Sequence, residues 1–212
     1  EVIVAMVRLI MKFAPYGVFA LMGSLMVELA GDDPASSIGL LQSLGMYALV
    51  VIAGLLFLVV VIYPSLLAMF TKLKYAQFLK GVLPAQLLAF STSSSAATLP
   101  VTMRQCENEL GVSREVSSFV LPVGATINMD GTSLYQAVAA VFIAIVFGYD
   151  LTLGQQLTII LTATLASIGS AAVPSAGIVM LVIVLESIGI PSAGIALIFA
   201  VDRPLDMFRT VV

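Results

Sequence analysis

The sequence predicts an all-α membrane protein whose transmembrane helices are interleaved with two opposed re-entrant helical hairpins, an inverted repeat. Three observations carry that prediction. The chain is 60% hydrophobic and 10% charged, with a mean hydropathy of +1.13, where an ordinary soluble domain carries about 25% charged residues. Two segments, LLAFSTSSSAATLPVTM and TIILTATLASIGSAAVPSAGIVMLVIVL, share one plan of apolar arm, small or hydroxylated tip, proline and second apolar arm. The final apolar helix carries Asp202, Arg203, Asp206 and Arg209. A water-soluble globule of 22.2 kDa leaves too much of its surface in water to hide so much apolar area, so lipid is the expected solvent.

Residues 2–30 read as a spanning helix, bent at Pro15, within a first unit over 1–33. GDDPASS is an acidic, turn-rich loop. A second span covers 38–71, in a segment over 34–73, and is expected to end at Pro64 and the basic run Lys72, Lys74 and Lys80. Lysine and arginine favour the cytoplasmic side, so this span runs inward, and the first, with Arg8 and Lys12 near its start, runs outward. The first hairpin occupies 75–110. As a straight span it would place several hydroxyls and a proline in lipid, whereas a hairpin tip only has to line a cavity or lie under protein. Its polar tail RQCENELGVSRE returns it to the cytoplasm. A span over 113–150, apolar from 116 to 149, is interrupted by NMDGT, Asn128 to Thr132. GYDLT carries no Lys or Arg, so the second hairpin, 152–188, enters from outside, and 190–212 begins the last helix. Halves that enter from opposite faces mark the inverted repeats of secondary transporters, whose sites lie at the repeat interface. Glu1 opens an apolar helix without Met or a cleavage site, and Val212 closes inside another. Both ends are therefore expected to continue in a longer transporter.

The residue inventory excludes much chemistry. With no histidine and one cysteine, Cys106, the chain cannot form an internal disulfide, a His/Cys zinc site or a Ser/His nucleophile pair. A net charge of −3 without a basic patch excludes nucleic acid as a partner.

Three features carry binding chemistry. Asp202, Asp206 and Arg209, spaced i, i+4, i+7, share one helix face, and charges at membrane depth must face protein, water or one another. The plain reading is an ion-pair network tying the helix to its neighbours. The functional one is a zwitterion site, with Asp206 for an ammonium and Arg209, whose fork matches a carboxylate, for an acid; Arg203 points about 100° away and snorkels. In NMDGT, Gly131 would let the helix unwind, so that carbonyls near Asn128 and Asp130 join their side-chain oxygens in a cage for Na⁺; otherwise it is a glycine kink. Ser93, Ser94 and Ser95 sit where the first hairpin's second arm begins, and free N–H groups there favour an anion. The second tip, Ser170 to Gly177, is built for close backbone approach and hinging, or simply for tight packing.

FSTSSSAATLP, LPVGATINMDGT, LTLGQQLTIILTATLASIG, AAVPSAG and DRPLDMFRT, in this order over essentially the whole chain, resemble the dicarboxylate/amino acid:cation symporter family, which includes prokaryotic aspartate and glutamate transporters and the animal excitatory amino acid transporters. The resemblance implies a partial chain of an elevator-type transporter. The chain would hold the fifth and sixth spans, first hairpin, seventh span, second hairpin and start of the eighth. Arg209 would then hold the substrate's side-chain carboxylate and Asp206 its ammonium, assisted by Thr132. Ser94, Ser95, Val173 and Gly177 would line the rest of the pocket. Na⁺ would be held by Asn128 and Asp130, and by Gly124, Thr126, Met129, Ser167, Ile168 and Ser170. A homotrimer in the inner membrane is implied, with 1–33 as scaffold, 34–212 as moving transport domain and the second hairpin as gate. An accessory arginine that some members carry at the first hairpin's tip or on the eighth span is replaced here by Ser93 and Met207.

The expected activity is uptake of aspartate or glutamate coupled to Na⁺, or to H⁺ carried by a carboxylate. A C4-dicarboxylate symporter is the near alternative, against which Asp206 argues because a dicarboxylate has no ammonium. An intramembrane aspartyl protease could use Asp130, Asp150 and Asp206, but Arg209 beside Asp206 would keep that carboxylate ionised. A passive channel is disfavoured because a bidentate site holds solute too tightly for fast conduction.

Overall fold

The structure, a computed structural model, describes residues 34–212 together with Tyr16, Phe19, Ala20, Gly23 and Val27. Apart from those five positions, the span expected over 1–33, with its bend at Pro15, lies outside the described residues. Among the described residues all regular structure is helical.

Helix α1 runs Pro34–Phe57 and passes through a π-helical turn, Leu58–Ile62, into α2, Tyr63–Phe70. Pro64 does not end the span, contrary to the sequence expectation. It stands inside the continuous helix, just after the π turn, where its missing N–H frees a carbonyl of the preceding turn, and the Val59 carbonyl accepts the Tyr75 hydroxyl instead. Thr71 closes the helix, its N–H and Oγ1 both donating to the Leu67 carbonyl at 2.8 Å. Apolar helix thus extends from Ile38 to Phe70, 33 residues or ~50 Å, ample for a hydrocarbon layer of about 30 Å when tilted. Lys72, Lys74 and Lys80 follow it, all exposed.

Two helix pairs come next in the pattern read from the sequence. Helix α3, Tyr75–Thr92, turns at Ser93 and Ser94 into α4, Ser95–Asn108, and the two arms pack along each other. Ser113 caps α5, Arg114–Ile127, which is separated by Asn128 and Met129 from α6, Asp130–Val146. A capping box of Thr152 and Gln155 starts α7, Leu153–Ile168, whose partner arm is α8, Ala176–Ser187. A 3₁₀ turn, Ser192–Gly194, leads into α9, Ile195–Val211.

Helix α6 is the hub, packing against α1, α7, α8 and α9. Its Ala139, Ala140 and Ala144 are buried, as are Tyr135 and Ile143. Small side chains let backbones approach closely, the usual means of helix association in lipid. Leu181, Val184 and Leu185 of α8, Ile159 and Ala163 of α7, Ile198 and Leu205 of α9 and Val51 of α1 complete the core. Tyr47 stacks on Phe142 with ring centroids 4.9 Å apart.

The outside is as apolar as the inside. Leu49, Phe57, Val60 and Phe70 on the span from Ile38 to Phe70 and Leu157, Leu161 and Leu165 on α7 are exposed. Meanwhile Gln136, Asp202, Asp206 and Arg209 are buried. Large contiguous apolar surface with buried charge is the arrangement of a protein solvated by lipid.

Gly194 sits where α6 meets the start of α9. A Cβ there would lie 2.9 Å from Phe147 Cε2 and overlap the Ile143 side chain. Gly194→Val is expected to destabilise by roughly 1–3 kcal/mol through overpacking, read as a lower thermal unfolding midpoint of the full-length protein in detergent. Gly45→Ala, with nothing within 4 Å among the described residues, is expected to raise that midpoint slightly, the helix-propensity gain of alanine over glycine.

Candidate functional site

Asp202, Asp206 and Arg209 share the buried face of α9, and Arg203 is exposed. A lone guanidinium at such depth would cost several kcal/mol, and the structure shows how its donors are met. Arg209 Nε donates to Asp206 Oδ1 at 2.8 Å and Nη2 approaches the same oxygen at 2.7 Å. Its plane lies over the Tyr135 ring, 4.4 Å from the centroid. Nη1 stands 3.9 Å from Asp202 Oδ1 and has no hydrogen-bond partner among the described residues. Asp202 is held from two sides: the Tyr135 hydroxyl donates to Oδ1 at 2.9 Å and Ser175 Oγ to Oδ2 at 3.0 Å. Asp206 Oδ2 accepts the Ser175 N–H at 2.8 Å.

The two helical tips converge on this cluster. At the first, Ser93 adopts a left-handed backbone, φ 51°, and its buried hydroxyl has no partner among the described residues. Ser94 caps α4, accepting the Ala97 N–H at 3.2 Å. The free N–H groups expected there for an anion are partly engaged. The Ala172 carbonyl of the second tip accepts both the Ala96 N–H at 3.2 Å and the Ser94 hydroxyl at 2.9 Å. The second tip is pinned from α6 as well, Gln136 Nε2 donating to the Gly177 carbonyl at 3.0 Å.

The break in α5–α6 falls at Asn128 and Met129, whose backbone is non-helical, and helix resumes at Asp130. Gly131 is therefore not where the chain unwinds, as the sequence reading had it. It is helical, and a Cβ on it would sit 2.7 Å from the Arg209 carbonyl, so its bareness lets α6 cross α9 closely. Ending α5 at Ile127 leaves last-turn carbonyls without a continuing helix. The Tyr63 hydroxyl, at the start of α2, donates to Asp130 Oδ2.

A cavity of about 140 Å³ lies between the tips, the break and α9. Of the sequence-named residues, Ser95, Asn128, Met129, Asp130, Thr132, Ser170, Val173, Gly177, Asp206 and Arg209 line it, and so does Ser93. Ser94 lies between the tips instead. Gly124 lines a neighbouring, more apolar cavity with Asn128, while Ser167 and Ile168 border a third, open space with Met129 and Asp130. Thr126 is exposed, its hydroxyl donating to the Val123 carbonyl at 3.0 Å. Sequence reasoning assigned no role to Tyr135, Gln136, Tyr63 or Ser175. Gln136 carried a usable signal: a polar residue within the apolar run of α6, which at membrane depth is a functional candidate by default.

A buried cluster of two carboxylates and a guanidinium between two helical tips, in a bundle with an apolar exterior, is the arrangement of a membrane protein with its polar groups gathered inside. Comparison with known proteins then gives the family. All 212 residues match the family model for the sodium:dicarboxylate symporter family. The chain is 48% identical over 200 residues to excitatory amino acid transporter 5 of Mus musculus, covering 94% of this chain and 35% of that protein. It is 47% identical over 210 residues to excitatory amino acid transporter 1 of Mus musculus, and 48% identical over 210 residues to its counterpart in Ambystoma tigrinum, each covering 99% of this chain and 38% of the relative. The chain belongs to the sodium:dicarboxylate symporter family and spans little more than a third of the length of these relatives. Symporters move solutes without altering them, so it is not an enzyme, which sets aside the aspartyl-protease alternative.

Removing Asp206 leaves Arg209 buried with a lost partner. Asp206→Ala is expected to cost about 3–5 kcal/mol and Tyr135→Phe, which keeps the ring and loses the hydroxyl, about 1–3 kcal/mol. Thermal unfolding of the ligand-free full-length protein checks both the size and the order of these losses.

Proposed function

We propose that this chain is the substrate-binding part of a secondary active symporter that takes up aspartate or glutamate together with Na⁺. The observation that carries the reading is the Arg209–Asp206 pair on the wall of the cavity between the tips. A fork of donors and a carboxylate, three residues apart on one face, complement the acid and ammonium of an acidic amino acid. In the structure they satisfy each other. A substrate carboxylate takes over donors of Arg209, including Nη1, which has no hydrogen-bond partner among the described residues, and its ammonium replaces the guanidinium at Asp206. Thr132, Ser93 and Ser95 offer further polar groups on the same wall. The names of the relatives, excitatory amino acid transporters, support an amino acid over a C4-dicarboxylate, as does Asp206.

Na⁺ travels as cargo. Asn128 and Asp130, with the carbonyls freed at the break, supply hard oxygens at the cavity floor. Met129 at the break faces Ser167 and Ile168 at the end of α7, Ser170 follows in the second tip, and Gly124 and Thr126 stand on α5. H⁺ is the alternative coupling ion. In the whole protein, a multi-pass homotrimer of the inner membrane, residues 1–33 belong to the scaffold. Residues 34–212, which contain the two re-entrant hairpins, 75–110 and 152–188, move as an elevator against that scaffold, with the second hairpin as gate.

Proteoliposomes of the full-length protein with an inward Na⁺ gradient are expected to concentrate labelled aspartate and to lose that uptake when choline replaces Na⁺. Arg209→Thr is expected to reduce acidic uptake at least about 100-fold, the loss of a bidentate charge-assisted contact, while admitting neutral amino acids. Aspartate uptake by this variant at the wild-type rate would sink the assignment.

A further inference from the structure

We propose that Ser175 latches the second tip onto the last helix and sets how long a bound solute is retained, an inference that rests on reading that tip as the gate. Among the described residues, Ser93 and Ser175 are the two non-glycine residues with positive φ. At 61° Ser175 occupies a region that side chains rarely adopt, and such conformations persist only where the surroundings over-determine them. Here the surroundings are two carboxylates one helical turn apart. The Ser175 N–H donates to Asp206 Oδ2 at 2.8 Å and its hydroxyl to Asp202 Oδ2 at 3.0 Å.

The hydroxyl's choice of partner matters. Ser175 stands at the N-cap of α8, where a serine side chain ordinarily accepts an N–H of the first helical turn, yet it makes no capping bond. Instead it reaches across to Asp202, and hydrogen bonds to an ionised acceptor are the stronger kind. Asp202 is itself fixed by Tyr135, so the latch closes onto a rigid post. The tip is tied at three points, through the Ala172 carbonyl to the first helix pair, through the Gly177 carbonyl to α6 and through Ser175 to α9. A substrate ammonium drawn to Asp206 meets the carboxylate that also holds the Ser175 N–H, so solute and latch share one acceptor.

Ser175→Ala removes the hydroxyl and keeps the strained backbone; Ser175→Gly removes the hydroxyl and relieves the strain. Both full-length variants are expected to release labelled aspartate about tenfold faster than wild type, the loss of one hydrogen bond to a charged acceptor. Both are also expected to raise amide hydrogen exchange over residues 170–178, with exchange in α6 unchanged, which separates an unlatched tip from general loosening. Wild-type release and wild-type tip exchange in both variants would overturn the latch. So would a change in only one of them, which would assign the effect to backbone conformation. Failure of the wild-type protein to bind aspartate would instead count against the proposed function, and tip exchange alone would then decide the latch.

Discussion

A guanidinium cannot be left alone in a lipid-solvated bundle, and Arg209 is nine-tenths or more out of contact with solvent. The surrounding architecture follows from meeting that charge. Asp206 neutralises it on the same helix, Asp202 stands 3.9 Å from its remaining nitrogen, and Tyr135 lies under its face. Those partners impose their own demands. Two carboxylates need donors, and the second tip supplies them from Ser175. The bare α-carbons of Gly131 and Gly177 keep the arginine's position open: a Cβ on the first would strike its carbonyl, and one on the second would lie 2.6 Å from Nη1. One buried charge thus ties together the last helix, the broken helix and the second tip, the parts a solute would have to disturb.

Such a pair is a poor device for stability, because the desolvation of two charges offsets most of their attraction. Its value is exchangeability. Donors and acceptors already gathered and stripped of water are offered to a ligand of matching charges, so little reorganisation remains when it arrives. Among the described residues, Arg209 Nη1 and the Ser93 hydroxyl are buried without a hydrogen-bond partner and are the groups of this set left free to meet one.

Several elements were legible because their starts have a local cause. Serine and threonine caps start α4, α5 and α7, and the apolar arms around small-residue tips announced both helix pairs. The helical period put Asp202, Asp206 and Arg209 on one face, and the burial of that face agrees. Pro64 and Gly131 were misread for a common reason. A breaker residue states what the backbone can tolerate, not what neighbouring elements require of it. Proline was accommodated just after the π turn, and glycine served a crossing with α9 that no local pattern encodes. Tyr63 and Tyr135 were invisible as site residues because their acceptors, Asp130 and Asp202, each lie 67 positions away. Ser94 shows the same limit: its place at the start of the second arm was readable, but its bond to Ala172 depends on how the two pairs meet.

The central claim is that an acidic amino acid replaces an internal ion pair, and one distance tests it most directly. In an experimental structure of the full-length protein with aspartate and Na⁺ bound, the Arg209 guanidinium is predicted to have left Asp206 Oδ1, now at 2.7 Å from Nη2, and to grip the substrate's carboxylate while Asp206 meets its ammonium. An Arg209–Asp206 pair still closed at hydrogen-bond distance, with aspartate bound elsewhere, would contradict the account.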